Sequence, residues 1–277
     1  MPDVTLGAMR TYPEGVTSWI ELASENSADT TEFYGELFGW TFAEASPQYL
    51  IAQLDGLDAA GISVAAANPS QWHTFVAVDD AQRVADRVAA AGGTVLVAPE
   101  PAGEDGIWAG CADPTGAEFR LLQATRRPGA QVANIPGAWN FTELRSPDPV
   151  RAQAFYTDVF GWAFDDLGFA TMIRRPGYGD HLAATVDPGI HERQSGDGVP
   201  PGFADAFGWV APLGPGERPH WHVTFTVADR DAAAHTVARL GGTVLSVSDS
   251  DWTRDAVIRD RLGAVCTLSQ YTPPDPG

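Results

Sequence analysis

"GVTSWIELASENSADTTEFYGELFGWTFAEA", residues 15–45, has a counterpart in "GAWNFTELRSPDPVRAQAFYTDVFGWAFDDL", residues 137–167. The two align without a gap at an offset of 122 (137 − 15), which pairs Glu21 with Glu143, Tyr34 with Tyr156 and Trp40 with Trp162. Repeats are sought first because a missed one miscalls the whole fold. A second match follows: "WHTFVAV" from Trp72 returns as "WHVTFTV" from Trp221, each leading to "GGTVL", at an offset of 149 (222 − 73). The offsets differ by 27, so the second copy carries an insertion of that length, expected between about 186 and 219.

Each copy has an inner rhythm. "SWIELAS" reads as a strand and "SADTTEFYGELFG" as a helix stopped by Gly39, followed by three strand-like runs. "WHTFVAV" opens a second round: strand, the helix "AQRVADRVAAAGG", then "TVLVAPE", "GIWAGCAD" and "AEFRLLQ". The unit is a βαβββ module, used twice per copy and four times in the chain, an α+β architecture. The expected domains are 10–125 and 137–272, joined by a Pro- and Gly-containing linker at 126–136. Whether the first module pairs with the second or with the fourth is left open at this level.

Composition narrows the functions. The chain has no lysine, which removes Schiff-base and P-loop lysines from consideration. A formal charge of −19 repels phosphate backbones and anionic membranes, so neither nucleic acid nor membrane is an expected partner. No apolar run is long enough to span a bilayer, and the first residues lack a basic-then-apolar leader, so a cytoplasmic protein is expected. Cys111 and Cys266 sit in apolar strand-like runs and read as buried thiols. A monomer with internal pseudo-symmetry, or a homodimer, fits the duplication.

The helix ending "FY…LFGW", the "VDD…AAGG" segment and the closing "ADPTGAEFRLLQ" resemble the vicinal oxygen chelate superfamily, which includes glyoxalases, bleomycin-resistance proteins and extradiol dioxygenases. The resemblance runs from about Gly15 to Gln270 and is closest to tandem two-domain members. It implies tandem glyoxalase-like domains whose curved mixed sheets form open clefts. Metal-dependent relatives place ligands on each module's opening strand and on a closing strand. Transferred residue by residue, those positions hold Trp19, His73 and Arg120 in the first copy, and Phe141, His222 and Thr267 in the second. Aromatic carbon rings do not ligate divalent metals and arginine offers no acceptor, so no metal or other cofactor is expected.

Strand alternation sorts the remaining candidates. Val223, Phe225 and Val227 share the face expected to pack on helices, while His222, Thr224 and Thr226 share the face expected to meet water or a ligand. Glu21 and Glu143 lie two residues beyond Trp19 and Phe141, on the same face. Trp209, placed in the insertion, is a candidate lid. Tyr34, Trp40, Tyr156 and Trp162 read as core.

The substrate-binding set is therefore Phe141, Glu143, His222, Thr224, Thr267 and Trp209, with Trp19, Glu21, His73 and Arg120 in the first copy. The leading reading is a metal-independent protein that binds or helps to process an aromatic or largely apolar small metabolite. The alternatives are a metal-dependent lyase, isomerase or dioxygenase with a remodelled site, using His222, Glu143 and His181 with His220 nearby, and a non-catalytic scaffold.

Overall fold

The computed structural model describes residues 9–65, 69–168, 170–196, 199–214 and 216–272. The first module runs β1 (Thr17–Ser24), α1 (Ser27–Phe38), β2 (Thr41–Ser46), β3 (Tyr49–Leu54) and β4 (Leu57–Val64). The second runs β5 (Gln71–Ala77), α2 (Ala81–Ala90), β6 (Thr94–Pro101), β7 (Gly106–Ala112) and β8 (Glu118–Ala124). The third opens with β9 (Trp139–Ser146), α3 (Pro149–Phe160), β10 (Ala163–Asp166) and β11 (Thr171–Arg174). It continues through α4 (Tyr178–Thr185), α5 (Ile190–Arg193) and a 3-10 turn (Phe203–Asp205) to β12 (Ala206–Pro212). The fourth runs β13 (His220–Thr226), α6 (Arg230–Arg239), β14 (Thr243–Asp249), β15 (Thr253–Arg259) and β16 (Val265–Tyr271).

Local chemistry explains the helix in each module. The side chains of Asn26, Asp80, Asp148 and Asp229 accept the amides of Asp29, Arg83, Arg151 and Ala232 at the helix starts. Gly39 and Gly161 end α1 and α3 in the left-handed region, at φ 74° and 70°. The opening strand pairs parallel with the closing strand in β1–β4, β5–β8 and β13–β16. The hairpins between the intervening strands are antiparallel, as in β2–β3–β4 and β14–β15–β16.

The third module carries extra chain that the first lacks. β3 and β4 are joined by Asp55 and Gly56 alone, whereas α4, α5 and the 3-10 turn separate β11 from β12. The added chain therefore falls within residues 175–205, a stretch that overlaps the expected 186–219. Tyr178 and Leu182, one helical turn apart, are both buried, which settles this apolar run as a helix.

Two compact units divide the chain, and neither follows one sequence copy. One comprises Met1–Ser18, Phe75–Gly129 and Leu144–His220; the other comprises Trp19–Thr74, Ala130–Glu143 and Trp221–Gly277. The second module thus shares a unit with the third, and the first with the fourth.

Each unit has its own aromatic core. In the second-and-third unit, Phe119 packs against Phe155, Tyr156 and Phe160 at 6.2, 5.6 and 6.0 Å, and Trp162 stacks on Tyr156 at 4.6 Å. In the first-and-fourth unit, Phe225 meets Phe38, Trp40 and Trp72 at 4.6, 5.7 and 5.2 Å. The repeated tryptophans are also hydrogen-bonded: Trp40 Nε1 donates to the carbonyl of Gly137 at 2.8 Å, and Trp162 Nε1 to that of Gly15 at 2.6 Å. Tyr34 donates to Asp260 at 3.0 Å, and burial raises both groups above their ordinary ranges. The core reading of these aromatics is what the structure shows.

Candidate functional site

β13 builds the site by alternation. Trp221, Val223 and Phe225 are buried on one face, while Thr224 and Thr226 on the other are half-buried. His222 lies on that second face and is only 2% exposed. Its Nε2 is 2.8 Å from Thr267 Oγ1 on β16, which fixes the ring.

Register extends the face over three strands. Thr224 is opposite Thr267, and Thr226 is opposite Ser269, in the parallel β13–β16 pair. Ser269 is in turn opposite Asp255, and Thr267 opposite Val257, in the antiparallel β15–β16 pair. Directly opposed residues project to the same side of a sheet. The fourth module therefore presents two rows, Thr224–Thr267–Val257 and Thr226–Ser269–Asp255. Ala256, Ile258, Cys266 and Leu268 alternate with them and are fully buried in the core.

β9 is a neighbour of β13, and the amide of Thr226 donates to the carbonyl of Ala138 at 3.0 Å. Along β9, Phe141 and Glu143 are half-buried while Thr142 and Leu144 are fully buried. Phe141 and Glu143 thus share the more open side of the strand, as alternation requires.

The first module treats the matching residues differently. All of β1 is buried, with Trp19 at 4% and Glu21 at 5% exposure. Trp19 Nε1 donates to the Tyr49 hydroxyl at 3.0 Å, and Ser63 Oγ donates to Glu21 at 2.7 Å. A Cβ at Gly61 would run into the Tyr49 hydroxyl, so the glycine makes room for this packing. Both candidate side chains are engaged inside the protein.

The second module carries Phe75–Arg120–Gly110 and Ala77–Leu122–Trp108 at the positions of the two polar rows. Its Arg120 guanidinium lies 5.3 Å from the Phe75 ring centre and 5.0 Å from that of Trp108. Such cation–π contacts are worth about 0.5–2 kcal/mol each. Phe75 and Ala77 are buried, and His73 is half-buried on β5.

Two candidates move. Trp209 lies on β12, not in the insertion; it is half-buried, opposite Met172, with Phe203 6.2 Å away. His181 lies on α4 and contacts Thr11, its Nε2 2.9 Å from the carbonyl and 3.1 Å from the hydroxyl. His220 Nδ1 is 2.7 Å from the carbonyl of Arg218. Asp255 escaped the sequence reading; the signal that could have found it is the alternation of "TRDAVIR" against "GIWAGCA".

The residues at the transferred metal positions do not fit a catalytic metal. Trp19, Phe141 and Arg120 offer no ligand atom, and His222 turns Nε2 to Thr267. Among the described residues no three His, Cys, Asp or Glu side chains gather to hold an ion.

Comparison with known proteins gives the lineage. The family model of the glyoxalase-like domain matches residues 19–122 and 142–269. A Mycobacterium tuberculosis protein designated CFP32 and named for a glyoxylase is 30% identical over 274 residues, covering 95% of this chain and 97% of that one. The Streptomyces peucetius anthracycline biosynthesis protein DnrV is 29% identical, covering 92% and 93%. Among solved structures, the Mn(II)-bound glyoxalase of Novosphingobium aromaticivorans superposes with a TM-score of 0.62 at 14% identity, covering 95% of this chain and 85% of that one. The 2,3-dioxygenase LapB of Pseudomonas sp. KL28 gives 0.59 at 12%, covering 99% and 97%. At these identities the structural likeness speaks for fold alone. Two matched segments, the repeated βαβββ modules and the full-length relatives lead to one conclusion: the chain belongs to the glyoxalase-like domain family of the vicinal oxygen chelate superfamily, with two such segments in tandem.

Proposed function

We propose that the protein binds a small, largely apolar aromatic metabolite on the β9–β13–β16 face, without a metal. The observation that carries this reading is the fixed His222–Thr267 pair, on a strand neighbouring the one that bears half-buried Phe141 and Glu143. Phe141 supplies a ring face for stacking, worth about 0.5–1.5 kcal/mol beyond burial. His222 and Glu143 orient a hydroxyl or carbonyl at the ligand's edge, and a charged partner makes such a bond about twice as strong. Few polar groups on an apolar ground are what small-molecule sites present. Relatives named for anthracycline biosynthesis are in keeping with a fused-ring ligand.

The donor chemistry supports metal independence, since ring carbons and a guanidinium occupy transferred ligand positions. We place the working site in the second copy, because Phe141 and Glu143 are half-buried where their counterparts Trp19 and Glu21 are buried.

The test is tryptophan fluorescence titrated with planar aromatic compounds, with and without EDTA. Binding tighter than about millimolar, insensitive to EDTA and weakened by His222→Ala but not by His73→Ala, is the expected result. Binding that EDTA abolishes, or that depends on His73 alone, contradicts the reading.

A further inference from the structure

The row Thr226–Ser269–Asp255 holds two buried polar atoms, Thr226 Oγ1 and Asp255 Oδ1, that find no hydrogen-bond partner among the described residues. They flank Ser269 on one face of three adjacent strands. Buried polar atoms are nearly always satisfied, and leaving one bare costs about 1–3 kcal/mol.

The cations nearest Asp255 in sequence and register are committed elsewhere. Arg230 gives Nη1 to the backbone carbonyl of Asp255 at 2.8 Å, while its other nitrogens pair with Asp231 at 2.7 Å and Asp249 at 3.1 Å. Arg254 pairs with Asp231 at 2.8 Å. Among the described residues, the side chain that donates to the Asp255 carboxylate is Thr253, whose hydroxyl reaches Oδ2 at 3.1 Å.

We infer that Thr226, Ser269 and Asp255 form a subsite for an ammonium group carried by the ligand. Resting on the reading above, this deepens it: the substrate class becomes a planar aromatic compound with a basic amine on a short arm. An ammonium supplies up to three N–H donors, enough for Asp255 Oδ1 and Thr226 Oγ1 together. A carboxylate-bearing ligand would meet Asp255 with like charge. The chain's charge of −19 favours the approach of a cation as well. The second module has Ala77, Leu122 and Trp108 in these places, and no acceptor of this kind.

A matched set of probes tests this: aminomethylanthracene, hydroxymethylanthracene and anthracenecarboxylate, titrated by calorimetry into the full-length protein. The amine should bind about tenfold or more tighter than the alcohol, the equivalent of 1.4 kcal/mol, and the acid weakest. Asp255→Asn should erase the preference for the amine while leaving the alcohol's affinity within about twofold. Asp86→Asn on α2 serves as the control, with melting temperatures recorded for both variants. Equal affinity for amine and alcohol, or a preference that survives Asp255→Asn, overturns the ammonium subsite and leaves the aromatic site standing. Binding of none of the three overturns both.

Discussion

The second and fourth modules place the same strands in the same register and put opposite chemistry on them. Where one has Phe75, Arg120 and Gly110, the other has Thr224, Thr267 and Val257. Where one has Ala77, Leu122 and Trp108, the other has Thr226, Ser269 and Asp255. The helix-facing sides of the same strands keep their apolar character: Val76, Ala109 and Leu121 correspond to Phe225, Ala256 and Leu268, all buried. After duplication the core constrained one face of each strand and left the other free to diverge. The second module fills its free face with an arginine between two aromatic rings, which satisfies itself. The fourth presents hydroxyls, an imidazole and a carboxylate, and this is the face we propose for the ligand.

The comparison can be broken first at the conserved face. Phe225→Ala removes a fully buried ring that contacts Phe38, Trp40 and Trp72, and should cost about 3–5 kcal/mol in urea unfolding. Asp255→Asn, on the opposite side of the same sheet, removes no packed ring and should cost clearly less than Phe225→Ala. Comparable losses would mean that the two faces are not distinct in role.

A smaller effect separates the two modules. Arg120→Ala should cost about 1–3 kcal/mol, through its contacts with Phe75 and Trp108 and the packing of its stem. Thr267→Ala gives up one hydrogen bond and should cost about 1 kcal/mol. Its larger consequence should be on binding, because His222 loses the group that fixes its ring. The reverse order in thermal unfolding would place the self-sufficient face in the wrong module.

The smallest effect concerns the buried thiols. Burial pushes Cys111 up to about 12 and Cys266 well above its ordinary value. Raised folded-state values mean that both states keep the proton at neutral pH. Above about pH 9 the unfolded chain ionises first, so stability declines from there towards pH 12. Native protein at pH 8 should not react with a thiol reagent, and both cysteines should react after denaturation. Rapid native labelling of one alone would show that its strand opens locally.

Much of the fold was legible because the repeat pins the helices. The caps at Asn26, Asp80, Asp148 and Asp229, and the stops at Gly39 and Gly161, are local signals that one chain segment carries by itself. The division into units was not legible, since it depends on which faces meet, such as Phe119 with Tyr156 and Phe225 with Phe38. Where the added chain starts was not legible, because the run holding Leu182 and Ala183 suits a strand or a helix equally, and burial of Tyr178 with Leu182 decides it. In the site, alternation alone groups His222, Thr224 and Thr226 on one side of β13. Asp255 lay hidden because nothing in "TRDAVIR" shows which oxygen lacks a donor; that is a property of three strands together.

Grafting one module's chemistry onto the other tests the central claim most directly. Thr226→Ala combined with Ser269→Leu gives the fourth module the residues that the second carries as Ala77 and Leu122. Calorimetric titration with hydroxymethylanthracene, alongside the melting temperature, should show affinity falling more than about tenfold in a variant that still melts cooperatively. Leu122→Ser, the reciprocal change, should leave affinity untouched. A double graft that binds as the original protein does, or a loss of binding caused by Leu122→Ser, would contradict the assignment of the ligand to the fourth module's face.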